Sequence, residues 1–431
     1  MSRYSTFVVL VLLGNIGLQA QTLTPPLLPG EIPSPIVRTE ANAQNVFLMG
    51  WRVANEFDDN ALNHDSNKQA NVLTVVEPRV GWSLSTPRSR WTLSYRPGFA
   101  VGHPLSIYDS RSQMLDTELQ VTLAKHLQLR LREALLQSKD VFDQLQQSEP
   151  TTGSSVLDRP NSSILPSVRK SSEQAGADIS YAWSPRTVVG ASAAFYRVNY
   201  TSALDAQALG RAKSGDMQVF SSYHLSRHHW VGVDYSLRDL ISQQPQSRSL
   251  VQSVLYTDTL LLRPSMSISF FAGPQHSLTR GEAGLHFVWD RPHSAQANWS
   301  WAGAVNYVWS GERASLTVGL SHRISDGAGL QGIVQLTSAT AEVRRQLTKR
   351  LSGQVLVSDN RNRALLSGLT PLSYISFASG MSRALSQRLS LECQYWHLHE
   401  TSTGAQAGNY LASHNRISMS LTYDFKVPLQ R

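Results

Sequence analysis

The chain has 431 residues, of which 41% are hydrophobic and 16% are charged, and its formal net charge is +8. Beyond the first residues it contains no run of about 20 apolar residues, which excludes a helical membrane protein. Its single cysteine, Cys393, cannot close an intrachain disulfide, so an exported fold of this size depends on hydrogen bonding and packing.

The N-terminal segment predicts export. Arg3 precedes an apolar run from Phe7 to Leu13, and a small residue, Ala20, precedes Gln21, as in a secretory signal peptide. We expect cleavage near Ala20, which removes residues 1–20 and argues against nucleic acid as the partner of the positive charge. Residues 21–45 are rich in proline and lack alternation, so they predict an extended periplasmic lead-in that is too short for a plug domain.

From residue 46 onwards, apolar and polar residues alternate in long segments. In the segment that ends at Leu131, for example, Leu127 and Leu129 alternate with Gln128 and Arg130. A soluble β-sandwich alternates as well, but the segments here are about 10 to 13 residues long, near the length that crosses a membrane. Trp and Tyr also stand near segment ends, where a bilayer interface favours them. The residues concerned are Trp51, Trp82, Trp91, Trp183, Tyr200, Trp230, Trp309 and Tyr423.

Short turns alternate with long polar connections along the chain. The turns share an apolar residue, a Ser or Thr, one or two polar residues and a basic residue. They are found at Ala182–Val188, His224–Trp230, Gln346–Ser352 and Ala384–Ser390, with looser copies near 85–91 and 122–128. The long connections are expected at 58–70, 103–113, 138–170, 201–212, 274–293, 360–371 and 400–413.

This asymmetry is typical of outer-membrane barrels, whose periplasmic turns are brief and whose extracellular loops are long. The sequence therefore predicts an all-β fold, an antiparallel up-and-down transmembrane β-barrel over residues 46–425. We count about 18 strands, with 16 as the other reading because the regions 248–273 and 274–294 are ambiguous. A short tail is expected at 426–431.

The last segment, Asn415–Phe425, alternates clearly and ends on aromatic residues. It resembles the closing strand of Gram-negative outer-membrane proteins, whose late aromatics, here Tyr423 and Phe425, serve as an assembly signal for the outer-membrane assembly machinery. The hairpins Val343–Gly353 and Met381–Ser390, with Ser325–Gly329 after a strand, resemble the broad group of β-barrel porin-like proteins. The resemblance covers nearly the whole mature chain and implies a passive channel in the outer membrane of a Gram-negative bacterium.

If apolar positions face lipid, alternation places many charged residues in the lumen. The arginines so assigned are Arg52, Arg79, Arg96, Arg130, Arg132, Arg197, Arg238, Arg323 and Arg344. Acidic residues that share this side are Glu77, Asp116, Glu118, Asp178, Asp234, Glu342, Glu392 and Asp424. One interpretation is a wall of paired charges that stiffens the barrel; the other is that a surplus of arginine favours anions in the pore.

The remaining candidate residues do not match the pattern of a metal site or a catalytic site. His224, His228 and His229 surround a turn without a metal-ligand spacing, and Cys393 shares the apolar parity of its strand. Ser and His are abundant, but none is framed as a nucleophile, so we expect no enzyme, no metal and no cofactor. The 138–170 loop is either a mobile surface loop or a constriction that folds inward.

Function at this level remains a choice between two classes. The first is a porin-like diffusion channel for small, anionic solutes, since barrels of this size leave an aqueous lumen. The second is a structural or surface-interaction barrel with a filled lumen and outer loops that bind a partner. The expected partners are outer-membrane lipid, the assembly machinery and small solutes; neither the solute nor the oligomeric state follows from the pattern.

Overall fold

The computed structural model describes residues 45–61, 67–105, 110–139, 169–201, 211–243, 246–281, 296–325, 333–365, 372–402 and 410–429. The expected signal peptide at 1–20 and nearly all of the lead-in at 21–45 lie outside these ranges. The strands, in chain order, are β1 (Val46–Asp58), β2 (Asn71–Ser85), β3 (Ser89–His103), β4 (Ser110–Ala124), β5 (Leu127–Ser138), β6 (Arg169–Ser184), β7 (Thr187–Thr201), β8 (Ala212–Ser226), β9 (His229–Gln243), β10 (Gln246–Arg263), β11 (Met266–Gly281), β12 (Gln296–Ser310), β13 (Ala314–Ser325), β14 (Val334–Gln346), β15 (Leu351–Ala364), β16 (Leu372–Ala384), β17 (Leu389–Ser402) and β18 (Tyr410–Pro428).

The strands form one closed sheet. Each strand pairs antiparallel with its neighbours in the chain, and β18 pairs with β1 from Val46 opposite Pro428 to Asp58 opposite Arg416. A closed sheet has no edge, so the backbone of its strands stays hydrogen-bonded in lipid. The predicted up-and-down barrel is confirmed, and 18 is the correct strand count. Within the described ranges, no helix is long and apolar enough to span a membrane.

The repeated turn sequence has a local physical cause. In five of the short connections a Ser or Thr hydroxyl oxygen accepts a hydrogen bond from the backbone N–H two residues later, which closes a tight turn. These bonds run to Thr86 from Arg88 (3.3 Å), to Ser184 from Arg186 (3.1 Å), to Ser226 from His228 (3.3 Å), to Thr348 from Arg350 (3.3 Å) and to Ser386 from Arg388 (3.2 Å). All of these turns lie at one end of the barrel, called the turn end below; the other end is the loop end.

The strands extend further towards the loop end than the sequence pattern indicates. Residues 274–281, expected in a connection, form the last part of β11 and pair with β12, with Pro274 opposite Trp301. This stretch carries polar residues on both faces, so it shows no alternation. At the loop end, β9 and β10 are joined by residues 244–245 alone. This connection is much shorter than the long connections that the sequence predicts elsewhere.

Side chains alternate between two environments along each strand. In β18, Ile417 and Met419 are exposed, whereas Ser418 and Ser420 are buried. Residues directly opposite each other in neighbouring strands share a face, so the register extends this assignment around the barrel. The face with exposed apolar residues is the outward face, and the face with buried polar residues is the inward face. On the outward face of β8, for example, Met217 is 65% exposed and Val219 is 59% exposed.

Aromatic rings gather on the outward face towards the turn end. Trp51 stacks on Tyr423 with ring centroids 6.1 Å apart, and Trp82 stacks on Trp91 at the same distance. The Arg388 guanidinium lies 4.8 Å from the ring centre of Phe425. Such a girdle marks a membrane interface. The role of Tyr423 and Phe425 in assembly stays a prediction.

The C-terminal strand does not end at Phe425. Lys426, Val427 and Pro428 continue β18 and lie opposite residues 46–48 of β1. The tail expected from residue 426 therefore begins after this added pairing. The physical reason is that the first residues of β1 need a partner strand at the seam.

Cys393 offers a chemical test of the outward face. It is exposed, and it lies between Met381 of β16 and Met419 of β18 on the outward side. We expect a water-soluble maleimide to leave the vesicle-embedded barrel unlabelled, because the reagent does not enter the hydrocarbon that covers this side chain, and to label it after boiling in SDS. Mass spectrometry measures the adduct. Rapid labelling of the folded barrel would place this position in water.

Candidate functional site

A cavity of about 160 Å³ lies inside the barrel against one sector of its wall. All of the side chains around it belong to the inward face of β1–β5, β17 and β18. They are Arg52, Glu56, Glu77, Arg79, Arg96, Ser112, Met114, Leu136, Glu392, Gln394, Trp396, Arg416 and Ser418. Charged groups predominate in this lining, so the cavity suits polar solutes and water.

The deepest part of this sector is an ion-pair network across the seam between β1 and β18. Arg416 donates to Glu56 at 3.0 Å and to Asp58 at 3.2 Å, and His414 also bonds to Asp58. The Arg416 side chain is 6% exposed, and that of Asp58 is 2% exposed. Buried charges persist only with such partners. The network joins the first and last strands of the barrel.

Arg52 links this network to the next strand. Its guanidinium donates to Glu77 of β2 at 3.0 Å and to Glu56 at 3.5 Å. Both carboxylates therefore have arginine partners, and the Arg52 side chain is only 16% exposed. Arg52 and Arg416 are thus held by protein carboxylates rather than turned towards the cavity water.

Arg79 and Arg96 are held less tightly. The closest carboxylate oxygens are those of Asp424, 3.6 Å from Arg79, and Asp116, 3.8 Å from Arg96. Their side chains are 25% and 41% exposed, which is more than for Arg52 or Arg416. In the register of β2 with β3, Arg79 and Arg96 fall opposite each other, between the pairs Val76–Phe99 and Val80–Tyr95. Two like charges therefore stand side by side at the cavity.

Ion pairs continue along the inward face of the following strands. Arg130 lies 3.5 Å from Glu118, and Arg132 donates to Asp178 at 2.9 Å. In β8 and β9, Arg238 bonds to Asp216. Each of these pairs joins neighbouring strands. They support the interpretation of a wall network that stiffens the barrel.

The register places the sequence-predicted arginines on two faces. The inward face carries Arg52, Arg79, Arg96, Arg130, Arg132, Arg238, Arg323 and Arg344. Arg197, which alternation assigned to the lumen, lies on the outward face opposite Glu173 and Lys213. That assignment is wrong because the polarity of β7 is reversed near the loop end, where the inward residues are apolar and the polar residues Arg197 and Asn199 lie on the outward face. Tyr196, Val198 and Tyr200 form a buried inward cluster, which the pattern attributes to lipid.

The described inward face does not carry a surplus of arginine. Acidic and basic residues occur there in equal numbers by register. The basic ones are Arg52, Arg79, Arg90, Arg96, Arg130, Arg132, Lys170, Arg238, Arg323, Arg344, Arg416 and Lys426; the acidic ones are Glu56, Asp58, Glu77, Asp116, Glu118, Asp178, Asp216, Asp234, Glu342, Glu392, Glu400 and Asp424. Any preference for one sign of charge must therefore arise locally.

The loop-end half of the lumen is narrowed by apolar packing. Ile324 and Ile333, which flank the β13–β14 connection, pack with Leu240 and Val251 of β9 and β10. All four side chains are buried, and the Arg238 guanidinium lies 3.5 Å from the carbonyl oxygen of Ile324. Strands β9 and β13 are not neighbours, so this contact crosses the interior. The sequence around this connection, including Ser325–Gly329, does not predict such a constriction.

Two other candidates are resolved only in part. Ser138 and Lys170 lie opposite each other at the ends of β5 and β6 and are buried, whereas 140–168 lies outside the described residues.

The histidines near the β8–β9 turn are separated by the barrel wall. His224 stacks on Trp230 on the inward side, whereas His229 pairs with the Asp258 carboxylate at 2.9 Å on the outward side.

Comparison with known proteins gives likeness at the level of shape. No family model matches the chain, and no curated protein matches it. Among solved structures, OccK2 (OpdF) of Pseudomonas aeruginosa is 10% identical over 89% of this chain and 98% of its own, with a TM-score of 0.45. The siderophore receptor PiuA of Acinetobacter baumannii is 8% identical over 89% and 82%, with a TM-score of 0.44. OccAB4 of Acinetobacter baumannii is 10% identical over 90% and 100%, with a TM-score of 0.41.

These TM-scores carry no argument about function. The assignment of the chain to the outer membrane rests on its own geometry. The sheet closes on itself, its outward face carries exposed apolar residues with an aromatic girdle towards the turn end, and its connections are short at one end and, apart from that between β9 and β10, long at the other. That combination is the form of bacterial barrels that span the outer membrane. The protein is an outer-membrane β-barrel. Its turn end faces the periplasm, and its loop end faces the outside.

Proposed function

We propose that this outer-membrane barrel is a passive diffusion channel for small polar solutes with a preference for anions. The observation that carries the proposal is the Arg79–Arg96 pair beside the cavity. Both guanidinium groups are partly exposed to the lumen and have carboxylates no closer than 3.6 Å and 3.8 Å. A small anion between them would relieve the repulsion of two like charges that stand opposite each other.

A local pair of arginines is sufficient for selectivity in an otherwise neutral wall. Charged side chains that line a pore, such as arginines for anions, select the ions that pass close to them. The cavity lining contains Arg52, Arg79, Arg96 and Arg416 against Glu56, Glu77 and Glu392. Since Arg52 and Arg416 bind carboxylates at 3.0 Å, Arg79 and Arg96 are the groups that remain for a passing solute.

Removal of this pair is expected to change ion selectivity. In planar bilayers with a tenfold KCl gradient, we expect the native channel to pass chloride better than potassium. The double variant R79Q/R96Q should shift the reversal potential towards potassium, because Asp116 and Asp424 then lose their cationic neighbours. We expect the ratio of chloride to potassium permeability to fall by about 5-fold or more, which corresponds to roughly 1 kcal/mol.

The matched control is R361Q. Arg361 is an arginine of β15 on the outward face, and its side chain is 73% exposed. Its removal lowers the net charge without touching the lumen. A native channel that prefers potassium, or equal shifts in R79Q/R96Q and R361Q, would reject the anion preference.

The competing function, a filled barrel with outer loops that bind a partner, is favoured by one observation. Leu240, Val251, Ile324 and Ile333 close part of the loop-end half of the lumen with apolar contacts. Conductance separates the two functions. A barrel that folds in vesicles and passes no current would favour the filled barrel, whereas discrete channel openings would favour diffusion.

A further inference from the structure

The outward face carries a row of cations at the loop end that channel function does not explain. Arg197 of β7 lies opposite Lys213 of β8, Lys213 lies opposite Ile241 of β9, and Ile241 lies opposite Arg248 of β10. Arg248 in turn lies opposite Arg280 of β11. Five neighbouring strands thus present four cations in one register row, called the basic row below. Neighbouring strands are about 4.8 Å apart, so the row spans about 19 Å.

The basic row contains two like-charged pairs in direct opposition. Arg197 faces Lys213, and Arg248 faces Arg280. Like charges directly opposite each other destabilise a sheet. One of these four cations has an ion-pair partner within the protein. Arg248 binds both carboxylate oxygens of Asp239, at 2.9 Å and 2.8 Å.

The other three cations lack such a partner. Among the described residues, Arg197, Lys213 and Arg280 make no ion pair. Glu173 lies opposite Arg197 in the register but does not come within ion-pair distance of it. Four cations with two acidic neighbours leave the row positive. An anion from outside the chain would complete it.

The position of the basic row along the barrel axis, relative to the membrane, indicates which kind of anion it binds. Two residues nearer the turn end, three of the five outward positions are apolar: Phe195 is 41% exposed and Leu250 is 37% exposed, and Leu278 follows in β11, while Gly215 and Asp239, the partner of Arg248, occupy the other two. The row therefore begins where the hydrocarbon band ends, on the outer-leaflet side. Arginine binds phosphate oxygens in a bidentate manner, and clustered cations at this level bind anionic lipid headgroups.

We propose that the basic row is a binding site for the phosphate groups of a glycolipid in the outer leaflet, whose acyl chains lie against Phe195, Leu250 and Leu278. The site is independent of the lumen and of the channel function. Its cations neutralise phosphates, and the phosphates relieve the two like-charged pairs. Lipid binding thereby ties together strands β7–β11.

The test uses the full mature chain in mild detergent, with lipid binding measured by native mass spectrometry. The probe is a diphosphorylated glucosamine-disaccharide lipid, compared with the same lipid after removal of its phosphates. We expect the native barrel to prefer the phosphorylated form. The R197Q/K213Q variant should bind it about 30-fold more weakly, since each cation near a charged lipid surface contributes roughly 5-fold in affinity.

The matched control is R361Q/R363Q. These two arginines also lie on the outward face at the loop end, but their neighbours in β14 are Thr337 and Gln335, so they form no cationic row. We expect less than a 3-fold change for this control. Heat-modifiable migration on a gel checks folding, and R280Q, with an expected loss of about 5-fold, replaces the double variant if that variant does not fold.

Two results would overturn the proposal. One is equal affinity of the native barrel for the phosphorylated and the dephosphorylated lipid. The other is a loss of binding in R361Q/R363Q as large as that in R197Q/K213Q, which would indicate general charge attraction rather than a site.

Discussion

Replacing Arg416 with methionine is expected to lower the free energy of unfolding by about 3–5 kcal/mol. The Arg416 guanidinium bonds to Glu56 at 3.0 Å and to Asp58 at 3.2 Å, and all three side chains are less than a tenth exposed. Without the guanidinium, two carboxylates stay buried at the seam that closes the barrel. Urea unfolding in lipid vesicles, followed by tryptophan fluorescence, measures the loss.

The control for this experiment is Arg361→Met. Arg361 pairs with Asp359 at 2.9 Å, as Arg416 pairs with its carboxylates, but its side chain is 73% exposed. Exposed pairs contribute about 0–1 kcal/mol. A shift in the unfolding midpoint that is equal for the two variants would mean that the seam network is hydrated and that its charges are not responsible for closure.

A charge placed on the outward face should be nearly as costly as breaking the seam. Val219 stands at the centre of β8 and is 59% exposed on the outward side. We expect V219R to lower the free energy of unfolding by about 2–4 kcal/mol, because an arginine at the bilayer midplane must be desolvated or must thin the membrane. Equilibrium unfolding in vesicles checks the value.

The neighbouring residue provides the matched control. Gln218 points inward, where it accepts a hydrogen bond from Ser192 at 3.1 Å and donates to Asp234. An arginine at 218 would meet Asp216 and Asp234 in the polar interior, so we expect a change of about 1 kcal/mol or less. If Q218R were the more destabilising variant, the assignment of the two faces would be reversed.

The alternation of residues was sufficient to predict the barrel. In β18, hydrocarbon lies against Ile417 and Met419 while the interior receives Ser418 and Ser420, and this difference of environment requires a period of two. The Ser and Thr turns could also be predicted, because their hydrogen bonds are local. Prediction failed where a strand departs from the rule of apolar outward and polar inward residues. Residues 274–281 carry polar residues on both faces, so the pattern predicts a connection there, and in β7 the polarity is reversed around Arg197, with Tyr196 and Val198 pointing inward.

The sequence by itself determined the class of fold and the position of the short turns and limited the number of strands to about 18 or 16, because each depends on residues that are close together in the chain. Only the tertiary structure decided which charges meet. Arg416 and Glu56 are 360 residues apart and become neighbours when β18 pairs with β1. The basic row likewise exists only through the register of β7–β11, because hydrogen bonding between strands brings into line cations that the sequence keeps apart.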